Sequence, residues 1–509
     1  MPYAEGRRSA PLSDREKVLV LINSTSLSDL SEVLPSDRGL GRGSEYPALL
    51  QYAIVVAARI WGSQRAALAN LAEPSLWVDV CTAYEGRFAG TDYLWLPSVP
   101  PSARQQDAFV QHFAAVEPRL LEHLSARLTM SAVGLARHLG NFPDDVTPDW
   151  ANPSPKHVLI GDGTFTEPFS GVEKFVDEAT GEVGYLRSRA KHPGRTRFQS
   201  EQTNAQIDGK VRSGINHVNL LTSTRSGWVV LGCVQTLGGE IHGMREVVEP
   251  VLKLLGNRVH TLVWDRAVQG FDIEHLMARH RVLVINKQVA ARKEAARLVS
   301  EQEALERFRS GQPLPLGATV YRTTAGLDFV RSAFVALQTI PCSQGPDHGL
   351  WVDDGAVVEA EHQTPHMLKV ETATAAHANA HIAASGNYEL ETEWELPCRS
   401  SGELHQFKTV WTPRADKRGH RSDRHKALSA ARVLPRGDER FRPTHGLRNQ
   451  TESYNSWAKR CLGTGASPGR AMRLSARLQL LDFLATGTLA NALTAHRDEH
   501  RLHLSAEER

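Results

Sequence analysis

The sequence has few cysteines and no long apolar run. Its five cysteines are scattered over 509 residues and form no C-x-x-C pair, which argues against a disulfide framework or a cysteine zinc site and favours a reducing compartment. The longest apolar stretch, from Leu49 to Trp61, is interrupted by Gln51 and Arg59 and is shorter than the roughly 20 residues that cross a bilayer. The first residues also lack the apolar segment of a secretory signal. We therefore expect a cytoplasmic protein without a membrane segment.

The remaining composition is typical of a globular protein. Hydrophobic residues make up 41% of the chain and charged residues 23%, which excludes wholesale disorder. At roughly 100–200 residues per domain, a chain of 509 residues is long enough for two to four domains.

Positive charge is concentrated in one stretch. Between Arg414 and Leu480 there are sixteen lysines and arginines and five acids, an excess of eleven, whereas the whole chain carries +2. The other 442 residues therefore carry −9. Such asymmetry is typical of a region that binds a polyanion, although a solvated basic loop has the same composition.

The hydrophobic pattern changes along the chain and predicts six segments. They are a flexible tail over 1–30, a helical N-terminal domain over 31–150 that is a candidate for DNA binding or oligomerisation, the first part of a core over 151–290, a β-rich and then basic insertion over 291–440, a helical end of the core over 441–490, and a tail over 491–509. In the core, a hairpin over 216–236 precedes alternating helices and strands. This order predicts an α/β fold with a mainly parallel sheet and an antiparallel hairpin at one side.

Three acidic residues occupy positions that suit metal binding or catalysis. Asp162 and Asp265 end predicted strands, where ligands of α/β sheets normally bind. Glu452 lies on a predicted helix with Arg448 and Lys459 on the same face. Carboxylates bind Mg²⁺, and two such ions promote in-line phosphoryl transfer, while the neighbouring cations are suited to hold phosphates. A turn or helix cap is the more common explanation of each aspartate alone, and a surface ion pair explains Arg448 with Glu452. Only the joint pattern of the three acids favours a metal site.

The residues around Glu452 resemble a motif of the DDE transposases of bacterial insertion sequences. One group of this family has tyrosine, two residues, arginine, three residues, glutamate, six residues and lysine around its third acid. Arg448, Glu452 and Lys459 match that spacing, and His445 stands in place of the tyrosine. Shorter matches surround the other two acids, and the resemblance covers about 140–490.

The resemblance implies a ribonuclease H-like catalytic core interrupted by the β-rich insertion. It also implies that Asp162, Asp265 and Glu452 are catalytic and bind two Mg²⁺ ions, with Mn²⁺ as a substitute. Arg448 and Lys459 would contact DNA. Further candidate contacts are the neighbouring basic residues Arg440, Arg442, His445 and Arg460.

The implied reaction is cleavage at the element ends by water, followed by attack of a 3′-hydroxyl on target DNA. The expected partner is double-stranded DNA, bound by a homodimer at the nucleoid. A transposon-derived DNA-binding protein without catalysis and a stand-alone ribonuclease H-like nuclease are the alternatives.

Other groups in the insertion have simpler explanations. His377 and His381 are four residues apart, as in a helical metal site, but no H-E-x-x-H motif accompanies them, so exposed or core histidines explain them better. An acidic cluster competes as a metal site, although acids exposed in a turn explain it more simply; it comprises Asp353, Asp354, Glu359 and Glu361. Three tryptophans are able to stack on an unpaired base but are more typical of a strand core, namely Trp351, Trp394 and Trp411.

Overall fold

The structure is a computed structural model in which helices and strands are both abundant. It describes residues 11–40, 44–88, 96–113, 117–144, 149–168, 172–176, 183–187, 203–207, 210–236, 239–265, 268, 271–286, 302–303, 305–312, 319–322, 328–331, 335–353, 355–364, 367–382, 388–398, 400–412, 428, 431–435, 438–463, 469–471 and 475–507. The mixture confirms the α/β class. No helix in the described part of the chain has the length and apolar character needed to cross a bilayer.

Helices dominate both ends of the chain, and strands dominate its middle. The helices are α1 (Asp14–Asn23), α2 (Thr25–Ser28), α3 (Ala48–Ala57), α4 (Gln64–Leu71), α5 (Pro74–Phe88), α6 (Ala103–Gln111), α7 (Pro118–His138), α8 (Glu240–Leu255), α9 (Phe271–His280), α10 (Phe441–Gly446), α11 (Arg448–Cys461) and α12 (Ala476–Glu507). The strands are β1 (Val158–Pro168), β2 (Val172–Val176), β3 (Val183–Arg187), β4 (Thr203–Ile207), β5 (Lys210–Thr224), β6 (Gly227–Thr236), β7 (Thr261–Val263), β8 (Leu283–Ile285), β9 (Thr319–Arg322), β10 (Asp328–Arg331), β11 (Val335–Ile340), β12 (His348–Asp353), β13 (Ala356–Thr364), β14 (Met367–Thr372), β15 (Thr374–Ile382), β16 (Tyr388–Pro397), β17 (Leu404–Trp411) and β18 (Gly469–Ala471).

The chain divides into two compact units, each assembled from separate stretches of sequence. Unit 1 contains Met1–Pro143, Ile160–Leu255 and Asn449–Arg509, and unit 2 contains Asp144–Leu159 and Gly256–Arg448. This division differs from the predicted segments. The N-terminal helices share a unit with the hairpin and the C-terminal helices because their apolar faces form one buried cluster with α12.

Helix α1 corrects the expectation of a flexible tail over 1–30. The Ser13 side chain accepts a hydrogen bond from the Glu16 amide, and the Glu16 carboxylate accepts one from the Ser13 amide, which forms a capping box. Val18, Leu21 and Ile22 are buried one turn apart along the helix. Burial of these three residues in the hydrophobic cluster of unit 1 docks the helix.

Helix α3 forms the centre of unit 1. All ten of its residues are buried, as expected of a helix that is apolar on every side. Residues of α1, α5, α6, α7 and α12 join it in one continuous hydrophobic cluster.

The sheet of unit 1 has the order β4-β5-β1, with β6 also paired to β5 and β18 paired to β1. The predicted hairpin is confirmed, because β5 and β6 are antiparallel and Thr224 pairs with Gly227 across the turn. Gly227 has a φ of 142°, in a region that glycine adopts without strain.

Helix α12 corrects the expected tail over 491–509, because it continues through residue 507. Its second half is bonded to the hairpin. The Asn491 side chain accepts from the Val230 amide at 2.7 Å and donates to the Val230 carbonyl at 3.0 Å. Asp498 accepts hydrogen bonds from Arg225 and Ser226 in the turn. These bonds anchor a helix end whose composition is polar.

Unit 2 begins with a parallel pair of strands. β7 and β8 are parallel, with Thr261 opposite Leu283 and Val263 opposite Ile285, and α9 connects them. This confirms the predicted alternation of strand, helix and strand in the second half of the core.

The insertion is β-rich, as predicted. One sheet has the order β10-β9-β14-β13-β12-β11, and a second has the order β15-β16-β17. Neighbouring strands are antiparallel except β9 and β14. The basic segment over 413–430 lies outside the described residues apart from position 428.

Candidate active site

Asp162 lies in the middle of β1 and not at its end. The strand continues to Pro168, and Asp162 pairs with Asn219 of β5. The expected strand end is therefore wrong. Gly163, the next residue, allows a close approach of α8, since a Cβ there would lie 2.8 Å from the Glu240 carboxyl carbon.

Two asparagines link Asp162 to helix α11. The Asn219 amide donates to Asn455 Oδ1 at 2.8 Å, and the Asn455 amide donates to Asp162 Oδ2 at 3.1 Å. Both asparagines are buried, so these bonds exchange little with water. They fix the Asp162 carboxylate against the helix that carries Glu452.

Asn455 was missed by the sequence analysis. A signal existed, because Asn455 follows Glu452 by three residues and so lies on a neighbouring face of the same helix. Asn219 had no such signal, since it lies within a strand and only the register of the sheet places it opposite Asp162.

Lys459 shares this environment in unit 1. It is half-buried, and burial lowers the pKa of its ammonium group, while the charge of Asp162 opposes that change. Asp162 and Lys459 therefore lie close enough to interact electrostatically.

Glu240 is a further acid beside Asp162. Its Oε1 accepts a hydrogen bond at 3.1 Å from the amide of Gly163, the residue after Asp162. It is also the first residue of α8, where an acid is favoured by the helix dipole. Acids are common in the first turn of helices, so the sequence alone gives no reason to assign Glu240 to the site.

Glu452 is exposed on α11. The opposite face of the helix is held in place by Tyr454 and Ala458, which are buried against Leu221 and Val230 of the hairpin. The packing of this apolar face determines the direction in which Glu452 projects.

Unit 2 contains the second acid. Asp265 follows the end of β7 by two residues, as predicted, and is a third exposed. Arg448 Nη2 lies 3.4 Å from Asp265 Oδ2, with the arginine side chain 14% and the aspartate 33% exposed. Arg448 is therefore placed beside an acid of the predicted set, although the two residues are far apart in the chain.

The other basic candidates differ in their surroundings. Arg440 Nη2 contacts Asp438 Oδ2 at 2.7 Å, and its Nη1 donates to the Ala375 carbonyl at 2.8 Å. These contacts hold Arg440 against Asp438 and the backbone of β15, and its contact with DNA stays a prediction. His445 stacks on Phe441 with ring centroids 5.0 Å apart.

Two candidate cations are exposed. Arg442 lies on α10 and Arg460 on α11. The Arg460 guanidinium donates to the Ser456 hydroxyl at 3.3 Å, which holds it along the helix surface. Exposed arginines of this kind are suited to phosphate oxygens.

The sequence matches no protein-family model and no curated protein. The function must therefore be argued from the residues and their geometry.

Proposed function

We propose that this protein is a DDE transposase with a ribonuclease H-like core. Its substrates are the two ends of a mobile DNA element and a target duplex. Water first breaks a phosphodiester bond at each element end and leaves a 3′-hydroxyl. That hydroxyl then attacks a target phosphodiester, which joins element to target and releases a target 3′-hydroxyl.

The hydrogen bond between Asn455 and Asp162 carries the proposal. It joins residues 293 positions apart and brings the first predicted acid to the helix with the arginine, glutamate and lysine spacing. The contact between Arg448 and Asp265 in unit 2 is a second support of the same kind. A helix cap or a surface ion pair, the ordinary explanations of the separate motifs, does not account for such long-range pairings.

The predicted acids have the donor chemistry that Mg²⁺ requires. All three offer hard carboxylate oxygens, and Asp162, Asp265 and Glu452 are each at least partly accessible to solvent. Bound Mg²⁺, or Mn²⁺ in its place, would polarise the phosphate and lower the pKa of the attacking water. Asn455 and Lys459 would orient the Asp162 carboxylate, and Arg442 and Arg460 would hold DNA phosphates.

The test is a strand-cleavage assay with linear DNA that carries the natural sequences flanking the coding region. Wild-type protein with Mg²⁺ should cut near the flank, whereas Asp162→Ala, Asp265→Ala and Glu452→Ala should each abolish cutting and retain binding to the DNA. Glu439→Ala is the matched control, because Glu439 is an exposed acid outside the predicted set. Cleavage by all three alanine variants would refute the proposal.

The two alternatives give different products. A transposon-derived binding protein retains the DNA without cutting it. A stand-alone nuclease cuts, but it yields no joined product when pre-cut ends with free 3′-hydroxyls are mixed with target plasmid. A transposase yields the joined product.

Two ends must be processed together, so we propose a homodimer on DNA as the active form. A protein that acts on chromosomal DNA works where that DNA lies, so we also propose that it acts in the cytoplasm at the nucleoid. Light scattering of the protein with and without end DNA would measure the oligomer.

A further inference from the structure

Two hairpin turns of the insertion each contribute one cysteine and one histidine to a single cluster. Cys342 lies in the turn between β11 and β12, and His348 is the first residue of β12. Cys398 directly follows β16, and His405 is the second residue of β17. All four belong to unit 2, and their ligand atoms lie within 4.8 Å of one another.

The distances in this cluster are those of a tetrahedral zinc site. Zinc binds thiolate sulfur at about 2.3 Å and imidazole nitrogen at about 2.0–2.1 Å, which separates two sulfurs by about 3.8 Å and a sulfur from a nitrogen by about 3.6 Å. Here Cys342 Sγ lies 3.8 Å from Cys398 Sγ and 3.6 Å from His405 Nε2. The sulfur separation is far longer than the roughly 2.05 Å of a disulfide.

His348 is oriented as a zinc ligand. Its Nδ1 lies 2.6 Å from Glu359 Oε1, and both side chains are only 1% exposed. Its other nitrogen, Nε2, is buried and has no hydrogen-bond partner among the described residues. A carboxylate that holds one ring nitrogen while the other binds metal is the usual arrangement around zinc. Glu359 is therefore not the turn-exposed acid that the sequence predicted.

The two turns are shaped to converge. The Gln344 amide donates to Cys342 Sγ at 3.4 Å, which fixes the position of the sulfur within its turn. Gly402, with a φ of 75°, closes the other turn by donating to the Cys398 carbonyl. A Cβ on Gly345 would lie 2.3 Å from the Ser400 hydroxyl, so the turns approach closely only because residue 345 is glycine.

We propose that this cluster binds one zinc ion through Cys342, His348, Cys398 and His405. Four protein ligands leave no open position, so the ion is structural and does not activate water. It ties the sheet containing β11 and β12 to the sheet containing β16 and β17. The site is separate from the proposed transposase chemistry, and neither proposal depends on the other.

The absence of a C-x-x-C pair counts against a zinc site only when both cysteines of a pair come from one turn. In this chain each turn supplies one cysteine and one histidine, so the two sulfurs meet only through the fold.

The test is the metal content of the purified full-length protein. We expect about one zinc per chain by elemental analysis, lost from the Cys342→Ser/Cys398→Ser double variant. Cys81→Ser should retain zinc, because Cys81 is a free thiol of α5 outside the cluster. Less than a fifth of an equivalent in wild-type protein after zinc reconstitution, or a full equivalent in the double variant, would overturn the proposal.

A second measurement does not depend on folding of the double variant. Wild-type protein stripped of metal and titrated with Co²⁺ should show the intense visible bands of tetrahedral cobalt and a thiolate charge-transfer band. A weak octahedral spectrum would contradict the site. Metal-free protein in which peptide mapping finds Cys342 joined to Cys398 by a disulfide would refute the proposal.

The Glu359→Gln variant tests whether His348 binds zinc or only packs in the core. The amide retains the size of the side chain but weakens its hold on His348, so zinc affinity measured by chelator competition should fall about 10–100-fold. An unchanged affinity would show that His348 is not a ligand held by Glu359.

Discussion

At the residue scale, Asn455 is the side chain through which helix α11 holds the first acid. Asn455→Ala removes the hydrogen bond to Asp162 and frees the carboxylate to turn. Because second-layer groups of this kind typically change metal affinity or activity by about 10–100-fold, we expect cleavage to slow by that factor and the Mg²⁺ concentration for half-maximal rate to rise.

The matched control for Asn455 is Ser453→Ala. Ser453 is exposed on the same helix, and its hydroxyl donates to the Asn449 carbonyl. This variant should keep the wild-type Mg²⁺ dependence. If Asn455→Ala lowers the maximal rate without moving the Mg²⁺ requirement, Asn455 does not position a metal ligand.

His217 makes the stability of unit 1 depend on pH. It is buried, stacks on Phe483 with centroids 4.1 Å apart and contacts Gln479. Burial lowers its pKa to about 4, whereas the unfolded chain has the ordinary value of about 6.5. The unfolded state therefore binds the proton first, and the stability present above pH 6.5 is lost as the pH falls towards 4.

The expected loss from His217 is roughly 3 kcal/mol across that interval. Urea unfolding at pH 7.5, 6, 5 and 4.5 would measure it. His217→Gln removes the titrating group and should flatten the decline. An equal slope in both proteins would disprove the contribution of His217.

At the element scale, α8 contacts the hairpin through a glycine. A Cβ on Gly243 would lie 2.6 Å from the buried Val218 side chain of β5 and 3.2 Å from Thr236 of β6. Gly243→Ala gains helix propensity but forces the helix away from the sheet, so we expect a net loss of about 1–3 kcal/mol in denaturant unfolding. The added change Val218→Ala should recover part of it.

Gly134→Ala in α7 is the matched control for Gly243→Ala. Nothing lies within 4 Å of a Cβ at Gly134, so only the propensity changes, and the protein should gain up to about 1 kcal/mol. If both variants change stability in the same direction, close packing is not the reason for Gly243.

The elements that the sequence predicted best are those whose own pattern is strong. The hairpin has two apolar strands on either side of a tight turn, and α8 and α9 have apolar residues at helical spacing. The expected strand end at Asp162 is wrong because the pairing of β1 with β5 and β18, which are distant in the chain, extends the strand beyond that residue. The end of α12 was predicted as a tail because its residues are polar, and their partners in the hairpin are distant in the chain.

At the scale of the whole molecule, the three acids and the two cysteine–histidine pairs differ in how readily the sequence alone predicts them. The motif around Glu452 lies on one helix, so spacing alone revealed it. The zinc ligands come from two turns in different sheets, and the neighbour of Asp162 comes from the sheet register. The spacing of residues in the sequence predicts which side chains share a face of one helix or strand. It does not predict which helices and strands come into contact in the fold.

The uneven charge gives a prediction for the whole protein on DNA. The basic stretch carries an excess of eleven positive charges, against −9 for the rest. A solvated loop and a polyanion site share this composition, but they differ in their response to salt, because a phosphate contact releases counterions.

A variant of the basic segment over 413–430 distinguishes a solvated loop from a polyanion site. It replaces three arginines that lie outside the described residues, namely Arg418, Arg421 and Arg424. If they contact phosphates, their joint replacement by glutamine should weaken binding to all DNA sequences alike and reduce the slope of log K against log salt by up to about 0.9 per lost contact. Fluorescence anisotropy between low and moderate salt measures the slope. The control replaces exposed arginines outside the candidate DNA-binding regions, namely Arg279, Arg307 and Arg309. A slope that the first variant leaves unchanged would identify the segment as a solvated loop, because charges that never meet a phosphate release no counterions.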